Sequence, residues 1–360
     1  MPVTATEFTV DKSDLRKTRI GERPLPDLAP GEILLAIDRF AFTANNITYA
    51  ELGERMAYWQ FFPAADGGQG IIPVWGFADV RESRHDAIGR GERIYGYFPM
   101  ASHAVLRPER VSDGSFVDAS PHRQKLPPAY NLYTRCAKDP IWRPGDEALY
   151  ALLRPLFVTS FLIDDFLAEE NFFGAASIIL SSASSKTGFS LAQCIHNRKV
   201  VEVVGLTSGG NRAFVSGLGC YDRVIGYDDI HELPKLPAVF VDFAGSSSVR
   251  SAVHEHFRED MKYSCAVGMS HRDRDPPGKG LPGARPVFFF APDRLRKRAE
   301  DWGRDGLASR LDEAWESFLP HARRWLTVHH GRRSDAEAVY RATLEGRVPA
   351  QDAHVLTLTD

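Results

Sequence analysis

Eight consecutive residues, Ser181 to Gly188 (SSASSKTG), hold the densest phosphate-binding chemistry in the chain. They lie between an apolar segment, Ser177 to Leu180, and an amphipathic stretch, Gly188 to Asn197, so the loop meets the N-terminus of a helix. The free N–H groups and positive dipole end of such a terminus favour an anion. Small Ser and Ala side chains let the backbone come close. The hydroxyls of Ser184, Ser185 and Thr187 can donate to phosphate oxygens, and Lys186 adds a full positive charge. Of the glycines of the usual fingerprint only Gly188 is present, and an ordinary strand-to-helix turn with serine N-caps remains the competing reading.

The next strand bears on which phosphate. Val200 to Leu206 (VVEVVGL) reads as a buried strand that runs into Thr207, Ser208, Gly209, Gly210, Asn211 and Arg212. A site for NADH ends this strand with an acid that holds the ribose hydroxyls, whereas a 2′-phosphate needs donors and positive charge. There is no acid here and a guanidinium is in reach, so NADPH is expected over NADH. The alternative, that Asn211 and Arg212 only open a solvated helix, stays open.

These residues must be positioned by alternating strands and helices. A helical stretch at Leu152 to Glu170 precedes the first strand. After the second come a helix at Asn211 to Leu218, a short strand at Arg223 to Gly226, a buried strand at Ala238 to Phe243 (AVFVDF), a helix at Val249 to Phe257 and a strand at Tyr263 to Val267. Strands and helices alternating at this pace require right-handed crossovers and a covered parallel sheet, a doubly wound nucleotide-binding architecture. The first third differs, with strand character at Glu32 to Phe40, Ile71 to Val80, Arg93 to Phe98 and His103 to Leu106, which marks a small β-rich module. His271 to Pro286 is polar and rich in Pro and Gly, a surface loop. An apolar run, Val287 to Phe290, leads to a mostly helical stretch, Asp293 to Gly346, with many arginines on solvated faces, and Ala353 to Leu358 suits a returning strand.

In this order the segments resemble the medium-chain dehydrogenase/reductases, on the zinc-independent quinone-oxidoreductase and enoyl-reductase side. IILSSASSKTGFSLAQCI resembles their first strand, phosphate loop and helix; VVEVVGLTSGGNRAFVSGLGCYDRVIGYDD their second strand through third; VFVDFAG their fourth. Upstream, GEILLAIDRFAFTANNITYAELG and AIGRGERIYGYFP resemble the GroES-like catalytic domain. Serines 182, 184 and 185 replace a glycine-rich loop, and Pro73 to Ala78 (PVWGFA) replaces a G-x-E-x-x-G stretch, which marks a divergent branch.

The fold class this implies is α/β, a Rossmann doubly wound parallel sheet plus a GroES-like β domain, with residues 143–285 forming the Rossmann domain and 1–142 with 286–360 the GroES-like one. By the resemblance, Lys186 and Gly188 lie on the phosphate loop with Ser184, Ser185 and Thr187. Thr207, Ser208, Asn211 and Arg212 border the 2′-phosphate pocket, and Tyr227 lies against the adenosine phosphate. Phe243 and Gly245 follow the strand facing the cofactor ribose, and Gly268 and Met269 lie nearer the nicotinamide. Catalytic zinc is not expected, because Phe42 to Asn46 and Gly76 to Ala78 offer no Cys, His or acid where the ligands would stand. Without zinc, the charge left on oxygen after hydride transfer needs a positioned donor. Enoyl reductases of this type use a tyrosine from the same region, which makes Tyr58 and Tyr49 the candidates, with Asn46 as a hydrogen-bonding neighbour; packing of both rings in a core is the competing reading. The aromatics Trp59, Phe61, Phe62, Trp75 and Phe77, with Phe288 to Phe290, could wall an apolar cleft or belong to the core.

Composition bounds the rest. A chain of 360 residues with 43% apolar and 25% charged residues fits two folded domains and not disorder. Lys plus Arg number 44 against 47 Asp plus Glu, a net charge of −3, so no global field gathers nucleic acid or anionic lipid. No apolar run nears the roughly 20 residues that cross a bilayer, and acidic residues interrupt the N-terminus where a signal peptide would be apolar. Cys136, Cys194, Cys220 and Cys265 are scattered, which suits reduced, buried thiols and a cytoplasmic protein. The expectation is an NADPH-dependent reductase of a small apolar quinone, enone or other carbonyl, with a homodimer as its candidate assembly. A non-catalytic NADPH-binding sensor or partner-binding protein is the alternative.

Overall fold

Ser177–Leu180 is buried at all four positions, as a strand covered on both faces must be, and it is the centre of a sheet. In the computed structural model, which describes residues 3–267 and 280–359, this strand pairs in parallel with Glu202–Thr207 on one side and Ala238–Asp242 on the other. The sheet has six strands in the order Arg223–Gly226, Glu202–Thr207, Ser177–Leu180, Ala238–Asp242, Met261–Ala266, Pro286–Phe288, and every pairing is parallel. Counted along the chain that order is 3-2-1-4-5-6, the doubly wound arrangement, whose direction reverses between the first and fourth strands. Ser177–Leu180, Arg223–Gly226 and Ala238–Asp242 match the expected strands to within a residue, and Lys186–Arg198 and Ser247–Phe257 are the expected helices.

The chain divides into two compact units, Met1–Leu152 with Leu326–Asp360, and Leu153–Trp325; the sequence reading set its divisions at 142/143 and 285/286. In the second unit, the helix Ala291–Trp325, interrupted at Gly303 (φ 73°), belongs with the parallel sheet. Its arginines correct one expectation. Arg294 and Arg298 are buried, not solvated, and both guanidinium groups bind Asp165, while Glu169 pairs with Arg294, Lys297 and Arg298. A buried guanidinium needs such partners.

The first unit is β-rich. A three-stranded sheet joins Asp14–Pro24, Thr4–Asp11 and Gln69–Ile71, and a nine-stranded sheet is centred on Ile33–Phe42, Pro73–Ser83 and Arg93–Pro99. The returning strand Asp352–Leu356 pairs antiparallel with Ile33–Phe42. Thr327–Gly331, inside the stretch expected to be mostly helical, is a strand beside it. One core runs through Phe8, Ile37, Phe40, Phe42, Val74, Phe98 and Tyr340. A second is mainly aromatic, with Tyr49, Phe61 and Tyr97 beside Leu126. Cys136, Cys220 and Cys265 are buried and Cys194 is half-buried, all as free thiols. Among the described residues no helix is long and apolar enough to cross a membrane.

Candidate functional site

The carboxyl ends of the first and fourth strands, where ligands of this architecture gather, carry two loops locked to each other. Ser181 Oγ donates to Asp242 Oδ1 (2.8 Å) and accepts from the N–H groups of Phe243 (2.9 Å) and Ala244 (3.0 Å). Asp242 Oδ1 also accepts from Gly245 N–H, and its Oδ2 from Arg250 Nε at 2.9 Å. Gly245 has φ 62°, a conformation glycine takes at little cost. This buried Ser181, Asp242 and Arg250 set fixes where Phe243 and Gly245 stand. Sequence reasoning did not single it out; an Asp eight residues before an Arg across a strand-to-helix turn was the available signal.

The serine loop is held from three sides. Ser182 N–H donates to Tyr227 Oη (3.0 Å), Tyr221 Oη donates to the Ala183 carbonyl (2.9 Å), and Asn211 Nδ2 donates to Ser184 Oγ (3.1 Å). Ser182 adopts φ 51°, the left-handed region where glycine is favoured. Gly188 could not change. A methyl group there would stand 2.8 Å from the Ser182 carbonyl oxygen and 2.9 Å from Ser185 Oγ, and Ser185 Oγ caps the helix by accepting from Gly188 N–H. Gly205 on the second strand is similarly confined by Tyr221 and Ala183.

The structure thus brings Ser184, Ser185, Tyr227 and Asn211 into one hydrogen-bonded group around the helix N-terminus, with Lys186 and Thr187 opening the helix itself. Thr207 is buried at the strand end, and Ser208 to Gly210 are exposed, a methyl group on either glycine meeting nothing within 4 Å. Arg212 is half exposed and its Nη1 lies 3.4 Å from Asp229 Oδ2. Burial raises the Tyr227 phenol above its ordinary value, so it stays protonated. Its oxygen accepts from Ser182, leaving its own O–H to donate. Hydroxyls, an amide, a guanidinium and a helix terminus beside open space form a donor set that suits a phosphate-bearing ligand. Gly268 and Met269 lie outside the described residues.

The tyrosine candidates lie in the β-rich unit. Thr43 caps the helix Ala44–Glu51, and the Asn46 side chain is spent on that cap and on the Pro73 carbonyl (2.9 Å), which anchors the helix to the strand Pro73–Ser83. Tyr49 on this helix is buried and packs on half-buried Tyr58, ring centroids 4.6 Å apart. Trp75 Nε1–H donates to Tyr49 Oη (3.4 Å), and the Tyr58 and Tyr130 hydroxyls are 3.3 Å apart. Desolvation raises both candidate phenols, which keeps them protonated donors. Trp59, Phe61 and Phe77 are core residues, while Phe62 and Trp75 are half-buried at the edge of the cluster. Tyr130 and Tyr97, beside them, carried no sequence signal because separate segments bring them there. Among the described residues, no three or more His, Cys, Asp or Glu are grouped to hold a metal ion.

Similar folds are known. The quinone oxidoreductase of Coxiella burnetii shares 13% identity, with 99% of this chain and 100% of that one aligned at a TM-score of 0.59. CurA of Vibrio vulnificus in complex with NADPH shares 14% over 99% of each chain at 0.62. The yhdH oxidoreductase of Salmonella enterica in complex with NADP shares 13% over 98% of this chain and 100% of that one at 0.55. These likenesses establish the fold, that of the medium-chain dehydrogenase/reductases, with a Rossmann sheet and a separate antiparallel β domain. No curated protein matches the chain. A family model described as "Protein of unknown function (DUF2855)" matches residues 40–349, and with most of its length so matched, the chain belongs to the DUF2855 family.

Proposed function

We propose that this protein is a zinc-independent, NADPH-dependent reductase that transfers hydride to a small apolar quinone, enone or other carbonyl. The observation that carries the reading is the donor-lined serine loop at the switch point of a 3-2-1-4-5-6 parallel sheet. In support, two proteins of like fold are complexes with NADPH or NADP. When bound, NADPH supplies hydride. Ser184, Ser185, Lys186, Thr187 and the helix N-terminus hold the bridging phosphates, with Tyr227 donating beside them. Ser208, Asn211 and Arg212 meet the 2′-phosphate, Thr207 closes the strand beneath them, and Phe243 and Gly245 border the ribose. Tyr58 or Tyr49 donates a proton to the substrate oxygen; Asn46 serves by fixing the helix that bears Tyr49. The setting is proposed to be the cytoplasm, in keeping with four free cysteines. A homodimer is proposed too, supported by exposed Val287, Phe288 and Phe290 on and beside the edge strand.

The test is NADPH oxidation by the full chain across a panel of quinones, enones and aldehydes. Turnover is expected on at least one apolar acceptor, and Tyr58→Phe should lower kcat on it by about 10²- to 10⁴-fold, the usual loss of a general acid, with NADPH binding unchanged. Full turnover in both Tyr58→Phe and Tyr49→Phe would place the donor elsewhere. NADPH binding without turnover on any acceptor would favour the sensor reading.

A further inference from the structure

Tyr97, on the strand Arg93–Pro99, is wholly buried, and its hydroxyl has no hydrogen-bond partner among the described residues. Buried hydroxyls nearly always have one, so a lone one in a well-packed core calls for a cause. Its neighbours are three more phenols. The Tyr97 ring is 4.7 Å from that of Tyr130 and 5.6 Å from that of Tyr49, and Trp75 lies 5.0 Å away.

Counting protons shows what the group lacks. In the Tyr58 and Tyr130 pair one O–H is spent on the other oxygen, so one proton of that pair remains; the Tyr97 proton is a second, and that of Tyr49, whose oxygen accepts from Trp75, is a third. Burial raises Tyr49, Tyr58, Tyr97 and Tyr130 alike above the ordinary phenol value, so all four are neutral donors at neutral pH. The nearby cation Arg123 is occupied, bound to Asp118, Asn131, Tyr133 and the Tyr130 carbonyl, with its guanidinium over the rings of Phe61 and Phe62. Aromatic walls with unspent O–H donors suit an uncharged planar ligand that brings an acceptor oxygen.

We propose that Tyr97 and Tyr130, together with Tyr49 and Tyr58, form a four-phenol donor site for the carbonyl oxygen of a planar quinone or enone. The substrate class rests on the reductase reading above; the donor site rests on the phenols themselves. Tyr58, Tyr130 and Trp75 are half-buried, while Tyr49 and Tyr97 are buried. At 3.3 Å the Tyr58 and Tyr130 contact is longer than the usual O–H···O spacing of about 2.7–2.8 Å, a weak bond that an entering oxygen replaces with stronger ones. Arg123 is the positioning residue, fixing Tyr130 through its backbone carbonyl (2.7 Å).

The experiment is calorimetric titration of the full chain, and of its Tyr97→Phe and Tyr130→Phe variants, with 2-methyl-1,4-naphthoquinone, with oxygen-free 2-methylnaphthalene and, separately, with NADPH. Each variant should bind the quinone about five- to tenfold more weakly, the size of one hydrogen bond. Affinity for the hydrocarbon and for NADPH should not change. Because the Tyr97 hydroxyl lacks a protein partner, Tyr97→Phe should melt at or above the wild-type temperature. Unchanged quinone affinity in both variants, no quinone binding to the wild type, or a melting point several degrees lower in Tyr97→Phe would each overturn the site. Phenol-dependent quinone binding without any NADPH binding would sustain it and defeat only the reductase reading.

Discussion

Arg212 is the residue proposed to decide cofactor preference, and the structure gives it a competitor. Its Nη1 lies 3.4 Å from the Asp229 carboxylate, long for a charged pair and half exposed, so the guanidinium is restrained without being satisfied. A charged hydrogen bond to a phosphate is worth about 1.5–3 kcal/mol, or about 10- to 100-fold in affinity. Arg212→Ala should therefore weaken NADPH binding by at least about tenfold and leave NADH unaffected, while Asp229→Asn should tighten NADPH, both read by fluorescence titration of the reduced cofactors. Equal loss for NADPH and NADH would remove Arg212 from the 2′-phosphate pocket. Arg212 was legible in the sequence because it follows a strand end that lacks an acid. Asp229 was not, because the third strand brings it across, and Tyr97 and Tyr130 were hidden for the same reason.

At the scale of elements, the strands Ser177–Leu180 and Ala238–Asp242 were read almost to the residue because burial on both faces gives unbroken apolar runs. Glu202–Thr207 and Met261–Ala266 were read up to two residues off, and Pro286–Phe288, half-buried or exposed throughout, was read only as an apolar run. The hairpin Thr4–Asp11 and Asp14–Pro24 was missed, since its second strand is polar and has no buried residue. The arginines of the helix Ala291–Trp325 were misread because charge alone does not reveal the carboxylates of the helix Glu147–Glu169 facing them. Those pairs predict a pH dependence. Hydrogen bonds from Arg294 and Lys297 hold Glu169 down at about 2, against an ordinary glutamate value of 4.5. A depressed carboxylate contributes stability that is complete above its unfolded value and is lost as pH falls through the folded one. Urea midpoints measured from pH 6 to pH 2.5 should therefore fall below about pH 4.5 in the wild type, and Glu169→Gln should be less stable at pH 6 with a shallower decline. Parallel curves would show that the network adds nothing to stability.

For the whole molecule, the alternation of strands with helices and the β-rich first third were enough to expect a Rossmann unit and a second β unit, and the fold bears out both. Chemistry was less legible, because the serine loop departs from the glycine fingerprint that usually announces it. Only the folded chain shows Ser182 holding the left-handed turn, with Tyr227 and Tyr221 closing on the loop. Whether that loop receives NADPH is decided by calorimetric titration of the intact protein with NADPH and with NADH under identical buffer and salt. Saturable binding of NADPH, at least about tenfold tighter than NADH, is the expected result. No binding of either nucleotide, or NADH binding as tightly as NADPH, would contradict it.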